Sequence, residues 1–453
     1  MPEDMHRDAR PMDPIAFTVA PTAELIDGTR ARQAALLLLD TLGVMIAAHP
    51  MEAGVIARRA STRLYGATDP DDQAALPLDG RLCSRAGVAF ALATQTDNLD
   101  AHDGYNPTKG HIGCAVVPAL LAEAQGRDLS GQDALAALIA SYEIAGRAGI
   151  ALHASVQDYH TSGAWNALGV VALAARLRGL GADQLRHAYG IAEYHGPRSQ
   201  MMREIANPTM LHDGSGMGAM VGLSAVLLAE EGFTGAPAIT MEAPEAAPHW
   251  QDLGRFWQIG EQYIKPYPIC RWAHAAVDAT REVMAAHALV ADDIAGLEVR
   301  SFRNAVALFG SMPATTSQAQ YSLGFAVAQM AVYGKIGVPQ ISGAGLSDRH
   351  VAAFLARITL REDPRFESRY PTGRWAEVEI TLQDGQLLNS GEVHARGGPE
   401  RPFTRQETRE KFMAFTAPVI GEDRASAIWA AGLSLSDPSV AFTALTDLLT
   451  APP

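Results

Sequence analysis

From Ala31 to about residue 260, apolar side chains recur with the period of helices and nowhere alternate in the two-residue rhythm of strands. That texture leaves no room for a sandwich, a barrel or a doubly wound sheet in the first half of the chain, and it predicts an all-helical unit. The segments that carry it are 31–48, 83–94, 115–125, 130–151, 165–177, 182–194 and 218–230, joined by short Gly-rich turns; residues 62–75 read as a polar connection. Ser130 followed by Asp133 has the pattern of an N-cap opening the fourth of these helices. With 41 glycines, abundant alanine and only 7% aromatic residues, the helices are expected to pack closely through small side chains. The longest apolar run, Ala34–Ala48, is broken by Asp40 and falls short of the about 20 residues that cross a bilayer, so it reads as a buried helix.

The texture changes after Tyr263. Residues 294–302 and 375–382 alternate like half-buried strands, and Asp384-Gly385 is a common hairpin turn that sends 387–393 back as a partner. Helical segments at 274–287 and 317–332 lie among them, and helical character returns at 405–415 and 439–449. A chain of 453 residues exceeds one ordinary core. The expected architecture is mostly α with a smaller α+β part: an all-helical domain from 1–263 and 403–453, and an α+β lid domain over 264–402.

Composition narrows the function classes. A net charge of -14 with no Lys/Arg run argues against nucleic acid as a partner, and any anionic substrate needs a local cationic pocket to overcome the global field. The three cysteines, Cys83, Cys114 and Cys270, lie far apart and form no CxxC pair. They predict neither a disulfide framework nor an iron–sulfur cluster, and they fit a reducing compartment. Residues 1–14 are charged and lack the apolar core of a signal peptide, so a cytoplasmic protein without a membrane partner is expected.

The densest polar cluster is Asp97-Asn98-Leu99-Asp100-Ala101-His102-Asp103-Gly104, followed by Thr108-Lys109-Gly110-His111. Proton abstraction beside a carboxylate needs a base that titrates near neutrality, which is the range of histidine. An adjacent Asp can orient such a ring, and Lys109 can neutralise a substrate carboxylate. The competing readings are a capped helix end with a solvated loop, and a metal site from Asp100, His102 and His111, for which no HExxH-like spacing speaks. His160-Thr161-Ser162-Gly163 precedes an apolar helix whose N-terminus can hold an anion. Residues 208–218 contain Gly214, Gly216 and Gly218, but without a preceding strand or GxGxxG order they do not read as a nucleotide loop, and His212 is left as a possible site residue. Lys265-Pro-Tyr-Pro-Ile-Cys270-Arg271-Trp-Ala-His274 is a proline-stiffened cationic segment at the texture change, able to clamp carboxylates, with Cys270 as a lining residue. Tyr321 precedes a helix and offers a hydroxyl.

Taken in order, these motifs resemble the MmgE/PrpD family over some 380 residues. The resemblance rests on LLLLDTLGVMIAA, LDAHDGYNPTKGHIG, HTSGAWNALG, the His212-Asp213-Gly214 segment with GFTGAP, KPYPICRWAHAAVDA, QAQYSLGFAVA, RGGPERPF and Lys411-Phe412. It implies a helical domain built from both chain ends, an α+β lid, a homodimer, and an interdomain active site that needs no metal or organic cofactor. The family's acidic position falls on Asp100 or Asp103, its closing His on His111, the His of its HxxG motif on His160, and the Lys of its junction motif on Lys265. Two positions depart. Cys270-Arg271, with His274 further on, stand where some relatives carry a second His, and Thr209 or Met210 replaces a Lys often found before the His212-like position.

The expected activity is therefore a dehydratase-type lyase on a small polycarboxylic acid such as 2-methylcitrate. Asp100, Asp103, His111 and His160 are its catalytic candidates; His102, Lys109, His212, Lys265, Cys270, Arg271, His274 and Tyr321 are its substrate-binding candidates. The alternatives are epimerisation of a dicarboxylate such as iminodisuccinate, cis-aconitate-type decarboxylation, and a binding protein that has lost the chemistry.

Overall fold

The computed structural model describes residues 13–450. Its helical part begins with α1 (Gly28–Ala47), α2 (Glu52–Leu64), α3 (Arg85–Asp97), α4 (Gly113–Ala124) and α5 (Gly131–Ser155). It continues with α6 (Gly163–Arg178), α7 (Ala182–His195), the short α8 (Met201–Ala206) and α9 (Ser215–Glu230). Local chemistry sets the starts. Asp27 accepts from the backbone N–H groups of Thr29 and Arg30 at 2.9 and 2.7 Å, and Ser130 accepts from that of Asp133 at 3.0 Å. Small residues set the spacing. A Cβ on Gly169 of α6 would lie 2.8 Å from the Ala145 side chain of α5, and one on Gly222 of α9 would lie 2.6 Å from the Ala167 carbonyl of α6. These helices touch backbone to side chain, which only glycine permits. Helix α5 has the length and apolar composition of a membrane span, yet 94% of that stretch is buried inside the protein.

The second part holds α10 (His274–Ala286), β1 (Ile294–Ser301), α11 (Leu323–Tyr333), β2 (Ile358–Glu362), β3 (Trp375–Leu382), β4 (Leu387–Asn389) and β5 (Val393–His394). The sheet order is β2-β1-β3-β4, with β5 also on β3. Strand β1 pairs in parallel with β2 (Val299 opposite Leu360) and antiparallel with β3 (Val299 opposite Val378). The Asp384-Gly385 turn closes the β3–β4 hairpin, with Gly385 at φ +88°. The chain then returns as α12 (Arg405–Ile420), which lies on α1, and α13 (Glu422–Ser434). Lys411 of α12 reaches Asp40 of α1 at 2.6 Å, and both are buried.

One apolar core draws on residues 17–264 together with 412–449. The other is built from residues 267–395, capped by Val44, Ala47, Ala48, Leu99, Ala101, Met201, Ile205 and Phe415 from helical segments. The seam between them is where the polar loop of 97–111 lies.

Several elements differ from the sequence reading. The helical half contains a two-stranded hairpin, Gln73–Ala75 with Leu82–Ser84, whose three-residue strands are too short to display alternation. The helix expected over 317–332 breaks at Tyr321-Ser322 into Thr316–Gln320 and α11, because Ser322 caps the second piece through the Phe325 N–H. Strand β2 went unread because it is an edge strand with mostly exposed side chains. The returning strand over 387–393 splits at Gly391, where φ is +65°. Near the end of the chain α13 carries the helical packing, whereas 439–449 holds only the short turns Thr443–Thr446 and Asp447–Leu449.

Candidate active site

Three helix starts meet at the seam. The loop after α3 leads to His111 and α4, Ser162 precedes α6, and Asp213 precedes α9. Their contacts are direct. The His111 N–H donates to Ser162 Oγ at 3.0 Å, the Ser162 hydroxyl donates to Asp213 Oδ1 at 2.5 Å, and the Gly163 N–H donates to the Asp213 carbonyl at 2.9 Å. The loop is pinned to the junction segment by a two-way bridge between Gly104 and Tyr263, with N···O distances of 3.0 and 2.8 Å. Gly104 is required there, since a Cβ would sit 2.3 Å from the Tyr263 hydroxyl and 2.8 Å from His111 Nδ1. Asp100 and Lys109 adopt left-handed backbone, at φ +52° and +55°, which turns the loop back on itself.

Two imidazoles hang from one carbonyl. A carbonyl only accepts, so both rings donate from Nδ1 to the Asp103 oxygen, His111 at 2.7 Å and His102 at 3.2 Å. The rings meet edge to face with centroids 4.5 Å apart. Burial and the neighbouring His102 hold the His111 imidazole well below its usual range, and burial brings His102 down to about 3. His111 is thus a neutral ring whose Nε2 lone pair is free of that anchor, the form that accepts a proton.

The Asp103 carboxylate itself turns away from both rings. It accepts from Thr41 at 3.3 Å and the Gly113 N–H at 3.4 Å, and burial raises it to about 7. Its orienting of His111 therefore runs through its backbone carbonyl, while its side chain fastens the start of α4 to α1.

Between the two cores lies a cavity of about 30 Å³. Asp100, Lys109 and His111 reach it from the loop, and Tyr159 and Asp213 from the helical side. Tyr263, Cys270, Arg271 and Trp272 reach it from the junction segment; Tyr321, Arg374, Met201 and Ile205 complete the wall. Its charges are mixed but organised. Lys265, fully buried, forms an ion pair with Asp100, whose carboxyl burial raises and the ammonium lowers. Arg271 donates to the Ala395 carbonyl at 3.1 Å and to that of Arg396, and its guanidinium lies 4.3 Å from the Tyr263 ring centre. Burial lowers Arg271 only to about 10, so it stays cationic. Lys109 stands 4.6 Å from the Tyr159 ring centre, its pKa lowered by burial. Cys270 is raised to about 12 by burial and then by Asp100, which keeps it a neutral thiol.

Other candidates lie elsewhere. His160 does not line the cavity; its N–H donates to His153 Nε2 at 3.2 Å. His212 is buried with both ring nitrogens unpartnered, and it borders a separate outer depression of about 790 Å³ that also meets Tyr159. His274 donates from Nε2 to the Ile269 carbonyl at 3.0 Å and packs on Tyr267, so it holds the junction turn together. The trio Asp100, His102 and His111 does not bring its donor atoms together as a metal site among the described residues, and Asp100 is paired with Lys265. Asp97, His102 and Cys114 do bring donor atoms within 4.8 Å of one another, but Ser215 already ties Asp97 (3.1 Å) to Cys114 (3.2 Å) as a hydrogen-bonded knot.

Sequence reasoning missed seven wall residues, of which Tyr159, Tyr263, Asp213 and Arg374 bring polar groups to the cavity. Tyr159 and Tyr263 were single aromatics beside better-marked motifs. Asp213 was read only as part of a glycine-rich segment, although an acid beside His212 at a helix start was the available signal. Arg374 immediately precedes the segment read as a strand, fully buried and directed by its own turn through the Gly373 carbonyl at 3.3 Å.

Comparison with known proteins gives a consistent picture. Residues 17–246 match the family model of the MmgE/PrpD N-terminal domain, and residues 267–437 match that of the MmgE/PrpD C-terminal domain. The chain is 25% identical over 416 residues to a human cis-aconitate decarboxylase, covering 85% of this chain and 83% of that protein. It is 24% identical to the mouse cis-aconitate decarboxylase, covering 74% of this chain and 72% of that protein. It is 21% identical to the cis-aconitate decarboxylase-like protein oryM of Aspergillus oryzae, covering 77% and 79% respectively.

Proposed function

The chain belongs to the MmgE/PrpD family, and from that premise we propose that it is an enzyme that moves a proton at carbon beside a carboxylate of a small polycarboxylic acid. The observation that carries this reading is the neutral His111 imidazole, its Nδ1–H fixed on the Asp103 carbonyl, in one cavity with the cations Lys109, Arg271 and Arg374. The cations hold carboxylates and make the carbon acid stronger by sharing the charge of the developing enolate. The imidazole accepts the proton. Loss of a β-hydroxyl as water then completes a dehydration, as for 2-methylcitrate or a related hydroxy tricarboxylate. The reading includes a homodimer working in the cytoplasm without metal or organic cofactor.

Decarboxylation is the second reading, favoured by relatives named for cis-aconitate decarboxylation over most of this chain. The site speaks more for dehydration. Removing water from a saturated acid requires a base, whereas losing CO2 from an unsaturated one requires an acid and no base.

The experiment incubates the purified protein with 2-methylcitrate, citrate and cis-aconitate, and follows new alkene absorbance and released CO2 separately. Alkene without CO2 supports the dehydratase, and CO2 from cis-aconitate supports the second reading. His111→Asn removes the base of the dehydration and should cost about 10²–10⁴-fold in that rate. Full activity of that variant would end the proposal.

A further inference from the structure

The cavity contains a carboxyl that the mechanism above leaves unused. Asp213 lies on its wall, with Oδ2 3.9 Å from His111 Nε2 and Oδ1 held by the Ser162 hydroxyl at 2.5 Å. The two side chains thus face the same small space from different helix starts, and Ser162 touches both, since it also accepts the His111 N–H.

We propose that Asp213 is the general acid of this site: its carboxyl hands a proton to the departing oxygen while His111 takes one from carbon. The inference rests on the proton-transfer reading given above and assigns its second partner. The balance closes. The C–H bond breaks toward His111 Nε2, its electron pair forms the new C=C bond, and the C–O bond breaks as the oxygen takes the Asp213 proton and leaves as water. His111 is left as imidazolium and Asp213 as carboxylate, close enough for the proton to return and reset the site.

The surroundings suit an acid that keeps its proton at neutral pH. Burial and then the Asp97 carboxyl push Asp213 up to about 8, with Asp100 adding in the same direction. The Ser162 hydroxyl and the Lys265 ammonium pull against them. The other titratable neighbours bring no charge of their own: His111 and His212 are held neutral by burial, and Cys114, Cys270, Tyr159 and Tyr321 are raised by it. A base held low and an acid held high in one cavity is the division of labour that acid–base catalysis needs.

Asp213→Asn keeps the shape and the Ser162 contact but has no proton to give. The first measurement needs no substrate. The wild-type-minus-variant infrared spectrum should show the carbonyl stretch of a protonated carboxyl at pH 6, fading as pH rises through about 8. The second is the pH profile on any acid the enzyme turns over. Wild-type kcat should fall as pH rises through that range. D213N should lose about 10²–10⁴-fold in kcat with little change in KM, and should lack that limb. Ser162→Ala is the companion variant should D213N not fold. Without the hydroxyl that favours the carboxylate, the limb should move to higher pH. No such infrared band, an unmoved limb in S162A, or a D213N enzyme with wild-type kcat would overturn the assignment of Asp213 alone. A wild-type protein that shows the band yet turns over none of the acids would overturn the functional reading, and the acid role with it.

Discussion

The Lys265–Asp100 pair offers the sharpest test of how the seam is held. The two side chains are 0% and 4% exposed and lie against each other, so neither charge has water to fall back on. Replacing Lys265 with Met keeps the apolar stem and removes the charge. Breaking a buried pair from one side typically costs about 3–5 kcal/mol, because the remaining ion is left uncompensated. At about 2.1 cal/mol/K of unfolding entropy per residue, each kcal/mol lowers the melting point of a chain this long by about 1 °C, so a fall of about 3–5 °C is expected. The sign with pH is also fixed. Burial raises the Asp100 carboxyl and Lys265 lowers it, so the variant lifts it further and the native state keeps its proton to higher pH than the wild type does. A carboxyl raised in the folded state stabilises at low pH and loses that contribution as pH rises through the folded value. Across the window between the wild-type and variant values, the penalty of K265M should therefore grow by about 1.4 kcal/mol per pH unit. The double variant K265M/D100N carries no charge to strand, and Asn tolerates the left-handed backbone at position 100. It should recover most of the loss and show no such growth. Denaturant unfolding at pH 6 and pH 8 checks both statements, with exposed Lys335→Met as the control. If K265M were no worse than the control, or if the double variant were as unstable as the single one, the reasoning from burial would be refuted.

Three further outcomes follow from the same geometry. Gly104→Ala should fold yet lose most of its activity, since its Cβ would collide with the Tyr263 ring and push His111 off its carbonyl; a crystal structure and kcat together check this, and unimpaired turnover would contradict it. Arg374→Met should lower kcat/KM by about 10- to 100-fold, the worth of one charge-assisted hydrogen bond, and an unchanged kcat/KM would remove Arg374 from the site. Cys270, kept as a neutral thiol near a pKa of about 12, should resist iodoacetamide at pH 7.5 even though it lines the cavity; rapid modification at that residue by mass spectrometry would show that its environment has been misjudged.

What the sequence disclosed follows from the kind of force involved. Helix periodicity reports apolar burial, so α1, α3 to α7 and α9 were legible, as was the switch to strands at β1 and β3, whereas α2 and the short α8 were not read. Exposed β2 and the three-residue hairpin at 73–84 bury too little to leave a pattern. The Asp97–His111 loop was legible because so many ionisable side chains cost free energy to bury unless the site uses them. Within it, however, the group that orients both histidines is a backbone carbonyl, which every residue carries and no sequence marks. That is why Asp103 drew attention for its carboxylate while its oxygen on the main chain does the orienting. Asp213 and Arg374 arrive from positions 102 and 263 residues beyond His111, and only the packing of helix starts against the start of β3 brings them to the same cavity.

The cavity's volume constrains how such a site works. Pockets for small molecules are typically about 300–1,000 Å³, and the about 30 Å³ found here is the room of a single water molecule. If the substrate is a tricarboxylate, as proposed, the walls of the cavity must move apart to admit it. The walls indicate where it opens. Arg271, Cys270, Tyr321 and Arg374 belong to the part built on the sheet, whereas His111, Lys109, Tyr159 and Asp213 belong to the helices, so each side holds an incomplete site. Separating them exposes cations from both sides to an incoming polyanion, and closing over it returns the neutral imidazole to a dry interior. Burial is what keeps His111 unprotonated and Asp213 protonated. In the proposed chemistry, water exclusion and the tuning of base and acid thus share one cause, the burial of His111 and Asp213.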